Sequence, residues 1–236
     1  MRGLDWERDG RDWPNRPTSR RVVAGGVSWH VQVMGDGPVL LLLHGTAAST
    51  HSFRDLAPRL AEHFTVVAPD LPGHGFTGFP GRSGMGLPSM ADGISALLAA
   101  LGGLRPVLAA GHSAGAAVLL RMALDGTIAP DGIVALNGAL LPFRGPMGHV
   151  APGLARLLAL NGAVPHLVSL LAGEDGVRRM LAGMGSRIDR RGIGLYARLM
   201  RDPAHVRGAL AMMAGWDLAG LERDLPRLAT PLTLVV

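Results

Sequence analysis

The chain contains no cysteine. That absence removes disulfides, thiolate nucleophiles and cysteine-ligated zinc together, because each needs the sulfur. It contains no lysine either: all 23 Lys+Arg positions are arginine, against 18 Asp and Glu, for a net charge of +5. The arginines are scattered, and only short pairs such as Arg178-Arg179 and Arg190-Arg191 occur. A compositional bias explains this pattern better than a nucleic-acid surface, so no nucleic-acid partner is expected. A cationic surface can still attract acidic membranes or partner proteins. No apolar run approaches the roughly 18 residues of a membrane span. The opening "MRGLDWERDGRDWPNRP" is charged and lacks the apolar core of a signal peptide, which makes a cytoplasmic location the default expectation. No pair of histidines or carboxylates has metal-ligand spacing, so no metal site is expected, and no cofactor is called for.

What is present is a pattern of short apolar runs alternating with helical stretches over 236 residues, enough for one large α/β domain or two small ones. Strands are expected at 20–24 and 27–34, paired across Gly25-Gly26, and at 38–45, 64–70, 106–111 and 132–137. Helices are expected at 53–61, 87–101 and 114–124. "PVLLLLHG" is continuously apolar, as a strand covered on both faces must be. Between Gly138 and Trp216 strand patterns vanish. Helical segments follow at 154–160, 164–172, 177–184, 193–200 and 205–214, with Met147, Met180, Met184, Met200, Met212 and Met213 among them. The sheet pattern returns in "PLTLVV", where the chain stops inside a buried-type strand. Such an ending has no following helix to cover the sheet, and we expect a longer protein with further C-terminal strands and helices.

Gly111-His112-Ser113-Ala114-Gly115 reads G-x-S-x-G between an expected strand and an expected helix. That context gives the motif its meaning: a tight turn exposes the serine hydroxyl, and the helix N-terminus favours developing negative charge. Acyl transfer also needs two N–H donors for the oxyanion. The loop "HGTAAST" after the strand 38–45 supplies one at Thr46, and Ala114 supplies the other. His44 and Gly45 open that loop and are expected to brace it. A third loop, "PDLPGHGFT" at 69–77, carries glycines that allow a sharp turn past the site.

With "LLLHGT", "VVAPDLPGHG" and "AAGHSAG" in this order, the chain resembles the α/β-hydrolase fold superfamily from about Arg20 onward. The resemblance implies a mostly parallel sheet flanked by helices. It divides the chain into a core part at 1–137, a helical cap at 138–216 and a return to the core at 217–236. More narrowly, "WERDGRDWPNR" followed by "HGTAASTHSFRDLAP" is similar to the magnesium chelatase accessory proteins encoded with bacteriochlorophyll biosynthesis genes. That likeness implies a photosynthetic bacterium, with magnesium chelatase or a porphyrin as partner and a helper role as an alternative to catalysis.

The superfamily completes its triad in the order Ser, acid, His, with the acid after the strand that "PLTLVV" begins. Both partners are therefore expected beyond Val236, and the 236 residues alone are expected to show negligible triad catalysis, since an unassisted serine hydroxyl is a poor nucleophile. None of the histidines present is a good substitute. His112 is expected to point into packing and His74 to orient its loop or lie at the surface. His149, His166 and His205 read as ordinary surface or helix-terminal residues. Some relatives place the acid after the strand that ends here at Asn137, which cannot ionise. Haloalkane dehalogenases and epoxide hydrolases have similar caps but use an Asp nucleophile, and Ser113 argues against both. The methionines of the cap mostly pack its helices, and they also suit an apolar cleft for a small-molecule ligand or ester substrate. Trp6 and Trp13 read either as packing residues or as a handle for a partner or a peripheral membrane contact.

Overall fold

The computed structural model describes residues 3–81, 84–142, 157–158, 161–183 and 185–236. Strands β1 (Ser19–Ala24) and β2 (Val27–Met34) form the expected hairpin. Both turn residues, Gly25 and Gly26, have positive φ, which a two-residue hairpin turn demands and glycine meets without a Cβ clash. β3 (Val39–Leu43), β4 (Thr65–Pro69), β5 (Pro106–His112), β6 (Gly132–Leu136) and β7 (Leu232–Val235) extend this to seven strands in the order β1-β2-β4-β3-β5-β6-β7. The β1–β2 and β2–β4 pairings are antiparallel, and every pairing from β4 to β7 is parallel.

The leucine run of β3 resolves into two faces by strand periodicity. Leu41 and Leu43 join the larger core with Val67, while Leu40 and Leu42 join a smaller one with Val66 and Ala68. Helices α3 (Leu87–Ala100) and α4 (Ala114–Leu124) cover the larger face through Ile94, Leu97, Leu119 and Met122. The other face is covered by Phe53 and by Ala57 of α2 (Leu56–Leu60).

The expected helix at 53–61 is instead a 3-10 turn at Thr50–Phe53 followed by the short α2. Pro58 has no N–H to donate one turn back, so a regular helix cannot run through it from Phe53. A one-turn helix not anticipated from the pattern, α1 (Trp6–Asp9), is capped by Asp5, whose side chain accepts from the Arg8 N–H at 2.8 Å.

Between β6 and β7 the described residues hold helices and no strand: α5 (Ala163–Leu171), α6 (Glu174–Gly183), α7 (Arg190–Met200), α8 (Pro203–Gly215) and α9 (Ala219–Asp224). The expected helix at 154–160 falls mostly outside the described residues, as do Met147, His149 and Met184. Helix α7 starts at Asp189, which accepts from the Gly192 N–H at 2.8 Å, and buries two stripes: Ile193 and Ala197 against Val177 and Leu181 of α6, and Leu195 and Leu199 against Trp13 and Phe76. Helix α8 starts at Asp202 with Pro203 in its first turn. Helix α9 returns to the sheet side: Leu218 and Leu221 enter the larger core, and Asp224 pairs with Arg121 of α4 at 2.9 Å.

The N-terminal segment ties these layers together. Trp13 is only 2% exposed and donates its indole N–H to Thr50 Oγ1 at 3.1 Å. Trp6 and Trp13 both meet Phe76 edge-on and share a cluster with Leu195 and Leu199 of α7. Arg198 bridges Asp12 and the Asp9 carbonyl at 2.7 Å each, and the Leu4 N–H donates to Asp202 at 3.0 Å. The tryptophans therefore pack against the domain, in line with the packing reading: Trp13 is buried, and Trp6 is half-buried with its ring against Phe76.

Candidate active site

Ser113 stands between β5 and α4 with φ 50° and ψ −117°. This conformation is strained for a non-glycine residue and persists only where the surroundings enforce it. They do so through the backbone. The Ser113 N–H donates to the Leu136 carbonyl at the end of β6, and the Ser113 carbonyl accepts from the Ala116 and Ala139 N–H groups at 3.2 and 3.1 Å. The flanking glycines are obligatory for space. A Cβ on Gly111 would overlap the backbone of Gly115 and Ala116, and a Cβ on Gly115 would overlap the Leu43 and His44 carbonyl oxygens. Gly45 lies against the turn from the other side, where a Cβ would come within 2.9 Å of Ser113 Cβ. The loop starting at His44 is thus seated directly on the serine turn, and the Ala114 N–H, in the first turn of α4, has no acceptor four residues back.

The loop at 44–50 is held by a buried histidine network. His44 Nε2 accepts the Leu71 N–H at 2.8 Å, which fixes the proton on Nδ1, and Nδ1 donates to the Gly45 carbonyl at 2.8 Å. Burial, together with the neighbouring His74 ring, pushes the His44 pKa down to about 4. His205 of α8 accepts the Gly75 N–H at 3.0 Å and donates to the Ala47 carbonyl at 3.2 Å, and burial lowers its pKa to about 3. The His44, His74 and His205 rings follow one another at centroid distances of 5.6 and 5.4 Å. Two more contacts press α8 onto the same loops. Thr46 Oγ1 donates to Met212 Sδ at 3.5 Å, and Gly208 lies so close to Gly73 that a Cβ would overlap the Gly73 carbonyl.

Asp70 organises the outer side. Its carboxylate accepts from the Thr50 N–H at 2.7 Å, the Phe76 N–H at 2.9 Å and His30 Nδ1 at 2.8 Å. Burial alone would raise its pKa, but His30 and these hydrogen bonds prevail and hold it well below the usual carboxylate range.

One sequence expectation is met here and one is corrected. His74 orients its loop, completely buried with Nδ1 donating to the Pro72 carbonyl at 3.0 Å. His205 is also buried and joins two loops rather than ending a helix at the surface. Nothing in the sequence marked it, since its partners are 130 and 158 residues away. His166 is exposed, and His112 is half-buried beside Gly45 rather than packed away. Asn137 has φ 42° and donates its N–H to the Val235 carbonyl at 2.7 Å. Among the described residues no histidine hydrogen-bonds the Ser113 hydroxyl, and His44 and His205 have both ring nitrogens engaged elsewhere. No group of three or more metal-ligating side chains gathers among the described residues.

One cavity lies between the N-terminal segment and α7 and another borders the 71–78 loop, and Ser113 lines neither. The larger, about 630 Å³, is charged, with Arg8, Asp12, Glu174, Arg191, Arg198 and Asp202 in its wall. The smaller, about 330 Å³, is lined by Arg21, Gly73, Gly75, Phe79 and His205 among others. The larger lining is more polar than apolar and the smaller one more apolar than polar, with Leu4, Phe76 and Phe79 in its wall.

The α/β-hydrolase fold family model matches residues 38–172. A crystal structure of an α/β-hydrolase fold protein from Burkholderia ambifaria superposes with a TM-score of 0.70 at 20% identity, covering 99% of this chain and 80% of that one. The soluble epoxide hydrolase of Corynebacterium sp. is 28% identical over 90% of this chain and 76% of its own length. The magnesium-chelatase 30 kDa subunit of Rhodobacter capsulatus is 42% identical over 227 residues, which are 95% of this chain and 79% of the relative. The tight strand–turn–helix geometry at Ser113, the sheet order and these matches agree: the chain belongs to the α/β-hydrolase fold family, as a relative of the magnesium-chelatase 30 kDa subunit.

Proposed function

We propose that the protein is a serine hydrolase acting on an ester or related acyl bond of an apolar small molecule, and that it works alongside magnesium chelatase in bacteriochlorophyll synthesis. The observation that carries the hydrolase reading is the strained Ser113 backbone, enforced by Gly111, Gly115 and Gly45. In this reading the Ser113 hydroxyl attacks the substrate carbonyl, and the oxygen that becomes negative is held by the Ala114 and Thr46 N–H groups. Strain of this kind is maintained where it positions a reacting group. His112 and His44 are structural: one borders the turn, and the other fixes the loop that carries Thr46.

Ser113 must lose its proton to a base. Among the described residues no histidine hydrogen-bonds the Ser113 hydroxyl. The sheet register indicates where an orienting acid would act. Val235 pairs with Leu136 and Leu136 with His112, so the end of β7 lies level with the elbow two strands away, about 10 Å at the usual strand spacing. An acid following Val235 would therefore lie at the same sheet edge as Ser113. We further take residues 1–137 and 217–236 as the core and 138–216 as a cap, with α8 its anchored element, and we place the protein in the cytoplasm. The chelatase partnership is supported by the 42% identity to the Rhodobacter capsulatus subunit.

The test is labelling of the natively expressed protein by a fluorophosphonate probe. Labelling that disappears in Ser113→Ala is expected, and equal labelling of both proteins overturns the reading. A second reading has one observation in its favour: the close relative is named as a chelatase subunit rather than as a hydrolase. Under it, the protein binds a porphyrin or the chelatase without catalysis. Ser113→Ala would then leave bacteriochlorophyll synthesis intact, while Gly208→Val, which drives α8 off Gly73, would impair it.

A further inference from the structure

Charge is unevenly divided along the chain. Residues 138–216 carry ten arginines against four acids, a net +6, while the remaining residues carry thirteen arginines against fourteen acids. The whole cationic excess therefore resides in the helical segment. Within it, α5 has no charged residue except the titratable His166. Its inner side, with Pro165 and Ser169 buried, packs on α8. Its outer side presents Leu167, Leu170 and Leu171, at i, i+3 and i+4 on one face, exposed by 58%, 84% and 74%. The joint Ala172-Gly173 leads directly into α6, where Arg178, Arg179 and Met180 are exposed. Arg178 and Arg179 form no ion pair among the described residues, and neither does the exposed Arg187 beyond α6.

Three adjacent leucines this exposed mark a surface meant to be covered. A second copy is a poor cover, because a two-fold contact sets the same patch against itself and would bring two +6 segments together. An anionic bilayer supplies both missing partners: acyl chains for the leucines and phosphates for the arginines, whose planar fork matches a phosphate well. Among the described residues no helix is long and apolar enough to cross a membrane, so the contact is peripheral.

We propose that the outer face of α5 and the Arg178–Met180 stretch of α6, beyond the acidic first turn formed by Glu174 and Asp175, dock the protein on an anionic lipid surface. The docking face is separate from Ser113 and does not depend on the hydrolase reading.

The experiment is co-sedimentation of the protein with vesicles containing phosphatidylglycerol, compared with vesicles of pure phosphatidylcholine. Sedimentation with the anionic vesicles only, falling as salt rises, is expected. Arg178→Gln with Arg179→Gln is expected to weaken it roughly thirtyfold, since each basic residue near such a surface contributes about fivefold. Leu170→Ser with Leu171→Ser is expected to weaken it at least about tenfold. Circular dichroism of both pairs should match the parent, as these side chains are exposed. Ser113→Ala should bind like the parent whether or not the fluorophosphonate test succeeds. The proposal is overturned by no sedimentation, by equal sedimentation with both vesicles, or by variants that bind like the parent. It is equally overturned if the leucine pair instead dissolves a self-associated form seen in light scattering, which would identify the occupant as a second copy.

Discussion

The serine turn and the helical segment solve opposite problems. Around Ser113 nearly every polar group is committed: the backbone of the turn to β6 and α4, His44 and His205 to loop amides and carbonyls, and Asp70 to three donors. On α5 and α6 leucines and arginines face outward with no partner in the described chain. The first region is held by backbone contacts too close for any side chain, so it has no freedom to adapt. The second is positioned by a few helix contacts and leaves its outer face for something else. The comparison teaches that geometry at the serine is protected by glycine and burial, whereas the character of the segment beyond β6 is a matter of surface chemistry.

The sharpest way to break the contrast is to add one methyl group on each side. Gly115→Ala forces a Cβ into the Leu43 and His44 carbonyls, which are backbone atoms of a central strand and its loop and cannot step aside. A loss of roughly 3 kcal/mol or more is expected, read as a lowered urea midpoint, with Ser113 displaced.

The next largest effect comes from pH. His44, His51 and His205 have folded-state pKa values lowered to about 4, 3 and 3, burial being the first cause in each case. A lowered histidine pKa means that the unfolded chain binds the extra proton first. Stability is therefore undiminished above the ordinary value near 6.5 and is lost as pH falls from there towards 4 and 3. The loss is expected to show as a lower urea midpoint at pH 4.5 than at pH 7. Urea unfolding at pH 7 and pH 4.5 checks this, and a stability that is flat over that range would contradict the neutral network.

The smallest effect lies in the helical segment and has the opposite sign. Gly176 sits inside α6, and a Cβ there meets nothing closer than the Leu171 carbonyl at 4.0 Å. Gly176→Ala should stabilise the protein by about 0.5–1 kcal/mol, because alanine loses less backbone entropy in a helix than glycine. A thermal midpoint that rises for Gly176→Ala and falls for Gly115→Ala would confirm that the two regions differ in how tightly the backbone is packed.

The strands were legible because burial imposes a local pattern. β2 spans Val27–Met34 as expected, β3, β4, β6 and β7 lie within their expected runs, and β5 extends one residue past its own, to His112. The elbow was legible for a related reason, since only glycine tolerates the contacts on either side of Ser113. The ends of α2 were not, because Pro58 acts within a helical-looking run. Asp70 and His205 were not legible either. A buried hydrogen-bond partner 130 residues away leaves no periodicity in the sequence, and a histidine looks the same in a list of residues whether it is buried or exposed.

By itself, then, the sequence determined the α/β order, the glycine-flanked serine turn between β5 and α4, and the cationic excess of the segment beyond β6. These follow from local periodicity, glycine spacing and composition, which neighbours along the chain already specify. Only the tertiary structure decided that Trp6 and Trp13 pack against the domain, that α8 is pinned to both loops beside Ser113 by His205, Met212 and Gly208, and that the leucines of α5 stay exposed. Each of these depends on which distant surfaces meet, and burial is settled by that meeting rather than by the residue's own kind.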